Sequence, residues 1–221
     1  MSDPINGKTR YAAMSRRAAM TAAAMAAMAT LAGCGGGGGG GAVEGDMALG
    51  AAEGAKVTVV EYASVTCGVC AAWDKETWPA FKAAYVDTNK VRYVFRELPT
   101  APAQVAVAGF LIARCAGEDK YFDVIHEIMA SQGEWRAGVN PRDTLFRIGN
   151  GAGLNQAEIQ ACITDEAALK AADERARASA RAAPEGTPTF LVNGTKVITP
   201  GSPSGPSMAD LSKVIDAELA K

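Results

Sequence analysis

The four residues Cys67-Gly68-Val69-Cys70 constrain this chain more than any other stretch. A run of β-branched and aromatic residues, Val57 to Tyr62, leads into them, and the segment after Cys70 reads as a helix ending near Tyr85. Two cysteines three apart at the start of a helix put Cys67 at its exposed N-terminus and Cys70 one turn in. Unpaired backbone N–H groups and the positive end of the helix dipole favour a thiolate at Cys67, so its pKa is expected in the range of roughly 3.5 to 7.5. Cys67 is then the attacking sulfur and Cys70 the resolving one. Taken alone, the spacing also fits half of a zinc site or a structural disulfide.

A second motif lies far downstream. The run Glu185-Gly186-Thr187-Pro188-Thr189-Phe190-Leu191-Val192-Asn193-Gly194 resembles the Thr-Pro-Thr loop of thioredoxin-fold proteins. Strand, Cys-x-x-Cys, helix and late proline together resemble the DsbA-like thioredoxin family, as do Val57 to Ser64 and Tyr93 to Pro99. The resemblance covers about Val57 to the C-terminus. It implies an α/β thioredoxin fold with an inserted all-helical subdomain. It further implies that Pro188 is cis and lies against the active disulfide, with Thr187 placed to pair with an extended client segment. Glu61, six residues before Cys67, falls where family members carry a buried acid that relays protons for the resolving cysteine. The other reading of Glu61 is a solvated side chain facing an edge.

The start of the chain reads as an export signal. Met1 to Arg17 is basic, and Ala18 to Ala32 is mildly apolar and too short to span a bilayer, which takes about 20 residues. Leu31-Ala32-Gly33-Cys34 resembles the lipobox of bacterial lipoproteins, implying cleavage before Cys34 and acylation of its thiol. Ser15-Arg16-Arg17 leaves two export routes open, twin-arginine or Sec. Seven glycines follow, Gly35 to Gly41, and residues 34–54 read as a tether. As a flexible coil of about 20 residues it has a root-mean-square span of roughly 25 Å. The expected divisions are a signal peptide at 1–33, the lipidated cysteine and tether at 34–54, a thioredoxin-like domain from 55–101 and 184–221, and a helical insertion at 102–183.

Within the insertion, Pro102 suits a first helical position, Gly117 stops that helix, and Asn155-Gln156-Ala157-Glu158 looks like a capping box. With Cys34 set aside, four cysteines remain as two possible pairs. Cys115 and Cys162 fall on two of the helices, and an oxidising compartment favours a structural disulfide between them. His126, the only histidine, reads as an ordinary helical residue with no second histidine to complete a metal site. Asn193-Gly194 marks a hairpin between two short strands, and Ser207 to Leu219 reads as a last amphipathic helix.

At 221 residues and 48% hydrophobic, the chain has enough material for one sizeable core. Without residues 1–33, 18 basic side chains face 23 acidic ones, which argues against nucleic acid as a partner. The expected protein is a periplasmic, membrane-tethered monomer that exchanges disulfides with client proteins and passes electrons to a membrane redox partner without a cofactor. Gly68-Val69 lacks the histidine of strongly oxidising relatives, and Thr187 resembles reductases and isomerases. The helical insertion and the N-terminal tether favour a DsbA-like oxidase of moderate strength, with a reductase or isomerase as the alternative. A thiol-based metal chaperone holding a soft ion such as Cu(I) is the reading from a different class.

Overall fold

The computed structural model describes Val43 and residues 45–221. Cys34, the leader and the glycine run lie outside the described residues. Five strands form one sheet in the order β1-β3-β2-β4-β5: Met47–Gly50 (β1), Thr58–Ala63 (β2), Arg92–Glu97 (β3), Thr189–Val192 (β4) and Thr195–Val197 (β5). β2 and β3 run parallel, and every other pairing is antiparallel. β1 departs from the expected tether. It pairs with the edge of β3 from Met47 opposite Phe95 to Gly50 opposite Arg92, so the folded unit begins before Ala55. Four residues with no alternation of their own carry no strand signal; the pairing with β3 makes them a strand.

The helix carrying the cysteines is shorter than expected. α1 spans Gly68–Glu76 and breaks at Thr77 before α2, Trp78–Phe81, which is followed by a π-helical turn, Lys82–Val86. Pro79 explains the break, because it lacks an N–H and its ring collides with the carbonyl four residues earlier. Residues 102–183 form only helices: Ala103–Cys115 (α3), Glu118–Ala130 (α4), Gln132–Arg136 (α5), Pro141–Gly151 (α6), Gln156–Thr164 (α7) and Glu166–Ala182 (α8). Pro102 stands one place outside its expected position, as the N-cap of α3 after a cis Ala101–Pro102 bond. The capping box at the start of α7 is formed, with Asn155 Oδ1 accepting from the Ala157 and Glu158 amides and the Glu158 carboxylate accepting from the Asn155 amide. The last helix, α9, is Met208–Ala220 with Ser207 as its cap.

Alternation along β2 decides which side chains reach the cysteines. Val60 and Tyr62 join Val94, Leu98 and Leu191 in a smaller cluster on one face. Val59 and Ala63 enter the main core on the other face, with Trp73, Phe81, Tyr93, Phe95, Phe110 and Phe190. Glu61 lies between Val59 and Ala63 and therefore points into that main core, with only 3% of its surface exposed. Helices of the insertion cover the same core, and the S–S bond between Cys115 on α3 and Cys162 on α7 ties two of them together, with Cα atoms 6.3 Å apart.

Candidate active site

Cys67 is the N-cap of α1. Its backbone is extended and its Sγ accepts from the Cys70 amide at 3.2 Å, as a cap oxygen does in other helices. The Cys67 pKa is held down from 9.0 to about 6. The largest cause is the Cys70 thiol donating to it; burial opposes, and the Thr187 side chain and the Cys70 and Val69 amides add further donors. Cys70 is driven strongly the other way, by burial first and then by the neighbouring Cys67 and the Glu61 charge. The reduced site is therefore a thiolate at Cys67 above a thiol at Cys70 that keeps its proton.

The sheet brings the second motif to the first. Thr187–Pro188 is a cis peptide just before β4, and Cys67 Sγ lies 3.8 Å from the Thr187 carbonyl. Trp73, one turn after Cys70, packs its ring 4.4 Å from Phe190 and donates Nε1 to the Pro206 carbonyl at 2.8 Å. Gly205 permits that approach. Its φ is +97°, and a Cβ there would meet Phe190 at 3.0 Å and Pro188 at 3.2 Å.

Glu61 sits beneath the cysteines. Burial raises its pKa from 4.5 to about 8, the hydroxyl of Tyr93 donates to its carboxylate and lowers it, and the charges of Asp74 and Cys67 raise it again. Tyr93 is opposite Val59 in the β2–β3 register, so it reaches Glu61 diagonally on the same face. Glu61, Cys67, Cys70, Thr187 and Pro188 thus converge from residues up to 127 positions apart. The Cys115–Cys162 bond stands apart from them on α3 and α7.

Three features of the site went unread in the sequence. Gln132 of α5 is buried and donates Nε2 to the carbonyls of Val65 and Cys67 at 2.8 and 3.2 Å, clamping the loop that presents Cys67. Ser64, Thr66 and Thr100 share hydroxyl hydrogen bonds that fasten the segment after β3 to the same loop. Glu97, at the end of β3, is buried and held by Arg114 at 2.6 Å, Arg175 at 2.9 Å and Tyr121 at 3.1 Å, joining the sheet to α3, α8 and α4. A glutamine or glutamate on its own carries no signal of this kind, since each partner lies on a different element. Among the described residues, no cluster of three or more histidine, cysteine, aspartate or glutamate side chains is arranged to hold a metal ion.

The fold and site define a thioredoxin-fold dithiol centre with a helical insertion. The chain belongs to the thioredoxin family: residues 42–217 match the family model described as thioredoxin. A Rickettsia bellii protein named "Putative protein-disulfide oxidoreductase" is 33% identical over 156 residues, covering 69% of this chain and 59% of that protein. The chain thus spans about three fifths of that relative's length. Among solved structures, alpha-DsbA1 of Wolbachia pipientis is similar with a TM-score of 0.71 and 22% identity, covering 81% of this chain and 94% of that one. A protein-disulfide isomerase of Novosphingobium aromaticivorans is similar with a TM-score of 0.63 and 20% identity, covering 80% of this chain and 98% of that one. These neighbours establish a DsbA-like form of the fold.

Proposed function

We propose that the protein is a thiol:disulfide oxidoreductase acting on client proteins, tethered to a membrane through Cys34 and facing the periplasm. The observation that carries the chemistry is the inequality of the two sulfurs. Cys67 is a stabilised thiolate capping α1 and Cys70 a buried thiol behind it. In the oxidising direction a client thiolate attacks Cys67 Sγ, the Cys67–Cys70 bond breaks, and its electron pair leaves on Cys70, which takes up a proton. A second client thiolate then attacks the client sulfur of the mixed disulfide and expels the Cys67 thiolate. The client gains a disulfide and the site gains two electrons, which a redox partner removes. The Thr187 backbone beside Cys67 is where an extended client segment would pair.

The oxidising direction is supported by the lowering of the Cys67 pKa through the donors around its sulfur, which favours the reduced, thiolate form of the site. A reductase or isomerase reading draws on the threonine before Pro188 and on the isomerase name of one structural neighbour. The N-terminal reading rests on Leu31-Ala32-Gly33-Cys34; acylation with two or more chains is enough for stable anchoring.

Cys67→Ser should abolish peptide oxidation and insulin reduction while leaving the circular dichroism spectrum unchanged, and Cys70→Ser should trap clients as mixed disulfides. Full activity in Cys67→Ser would overturn the assignment. Intact-mass analysis of the protein from its native host should find lipid on Cys34; an unmodified thiol there would remove the anchor.

A further inference from the structure

The mechanism leaves unused a histidine and an acid packed against the active helix. Asp74 follows Cys70 by four residues on α1, so the two side chains share one face, a turn apart. His126 of α4 brings Nδ1 to 2.5 Å from Asp74 Oδ1 and lays its ring 4.6 Å from that of Trp78. The same indole packs 4.7 Å from the ring of Tyr93, and the Tyr93 hydroxyl donates to Glu61. His126 Nε2 is buried and, among the described residues, without a hydrogen-bond partner. An acid–imidazole pair thus joins the active helix to the insertion and connects through packed side chains to the acid beneath the cysteines.

We infer that Asp74 and His126 act together as positioning residues that adjust how firmly Glu61 holds its proton, and through Glu61 the step in which Cys70 regains a proton. The inference rests on the exchange reading above. In that step the Cys67–Cys70 bond breaks, the electron pair leaves on Cys70, the Glu61 carboxylic acid gives up its proton to it, and water later restores the acid. The negative charge of Asp74 works against the loss of that proton, because it disfavours a second carboxylate nearby. When His126 takes up a proton, its positive charge offsets Asp74 and the transfer becomes easier.

The surrounding groups leave this pairing clear. Glu61 is bonded by Tyr93 of β3 and feels the charges of Asp74 on α1 and of Cys67 at its N-cap, and its own charge acts on Cys70. His126 faces Asp74 from α1, with the uncharged rings of Trp78 and Phe122 beside it. On its own helix, Asp123 is exposed and Glu127 is held by Arg147 of α6. Arg147 also binds Glu134 of α5, and Arg114 of α3 is engaged by Glu97.

The test uses reduced full-length protein with carbon-13 in the glutamate carboxyl groups, Glu61 being assigned by the signal lost in Glu61→Gln. Its titration and that of the His126 ring are followed together by NMR. In the unsubstituted protein the Glu61 curve should carry a second inflection at the pH where His126 titrates. His126→Asn should remove that inflection, and Asp74→Asn should move the Glu61 midpoint to lower pH. The pH midpoint for release of a glutathione mixed disulfide by Cys70 should shift the same way in Asp74→Asn. A Glu61 curve with one step and the same midpoint in all three proteins would overturn the inference. If Asp74→Asn does not fold, the comparison of His126→Asn with the unsubstituted protein decides by itself. Coupled titration without any disulfide exchange would support the charge coupling and overturn the exchange reading; normal exchange with uncoupled curves would do the reverse.

Discussion

Replacing Glu61 by glutamine removes a titrating group from the main core while keeping its shape and its ability to accept from Tyr93. The folded protein holds the Glu61 proton more tightly than the unfolded chain, since its pKa rises from 4.5 to about 8. Stability from this group is therefore complete below the unfolded value and is lost as pH rises through the folded one. At 1.36 kcal/mol per unit, the shift corresponds to at most about 5 kcal/mol between pH 4.5 and 9, and water entering the ionised site reduces it to about 2–5 kcal/mol. Urea unfolding of matched proteins with and without Glu61→Gln measures this directly. A Cys67→Ser/Cys70→Ser background keeps the thiols from titrating. The Glu61 protein should lose stability relative to the glutamine variant steadily from about pH 5 to about pH 8, and the loss should level off above that. Two parallel stability curves across that range would refute the placement of a buried, protonated acid beneath the cysteines.

Breaking the second disulfide by Cys115→Ser/Cys162→Ser should cost stability without removing exchange. The loop-entropy relation gives about 4 kcal/mol for a 47-residue separation, and denaturant midpoints with an activity assay check both halves. Gln132→Ala leaves the Val65 and Cys67 carbonyls without their donor. It should lower stability by about 1–3 kcal/mol and slow exchange, and a variant with unchanged exchange kinetics would show that the clamp on Cys67 is dispensable.

What the sequence disclosed and what it concealed follow from the range of the interactions. The inequality of Cys67 and Cys70 is legible because it arises from one helix start: an N-cap sulfur, nearby amides and a second thiol one turn on. β2, β3 and the Asn193-Gly194 hairpin are legible for the same reason, each being marked by its own residues. β1 is not, because four residues become a strand only when β3 offers them an edge. The helix after Cys70 reads as continuous if Pro79 is passed over, and the structure breaks it just before that residue. His126 looks ordinary in its own helix; its contact with Asp74 joins residues 52 positions apart. Gln132 and Glu97 likewise acquire their roles from carbonyls and guanidinium groups on other elements. Glu61 stands between these cases, since its oddity in an apolar strand is visible, while its burial and its bond to Tyr93 depend on the β2–β3 register.

The reduction potential of the Cys67–Cys70 pair, measured in glutathione buffers, bears most directly on the proposed oxidising function. A stabilised Cys67 thiolate favours the reduced protein and so makes the disulfide a stronger oxidant. Thioredoxin, with a cysteine pKa near 7 and a potential of about −270 mV, and DsbA, near 3.5 and about −120 mV, set the scale. The lowered Cys67 pKa places the couple on the oxidising side of that scale, and a potential between roughly −120 and −200 mV is the predicted result. A couple at about −270 mV or below would contradict a stabilised thiolate at Cys67 and, with it, the oxidising direction.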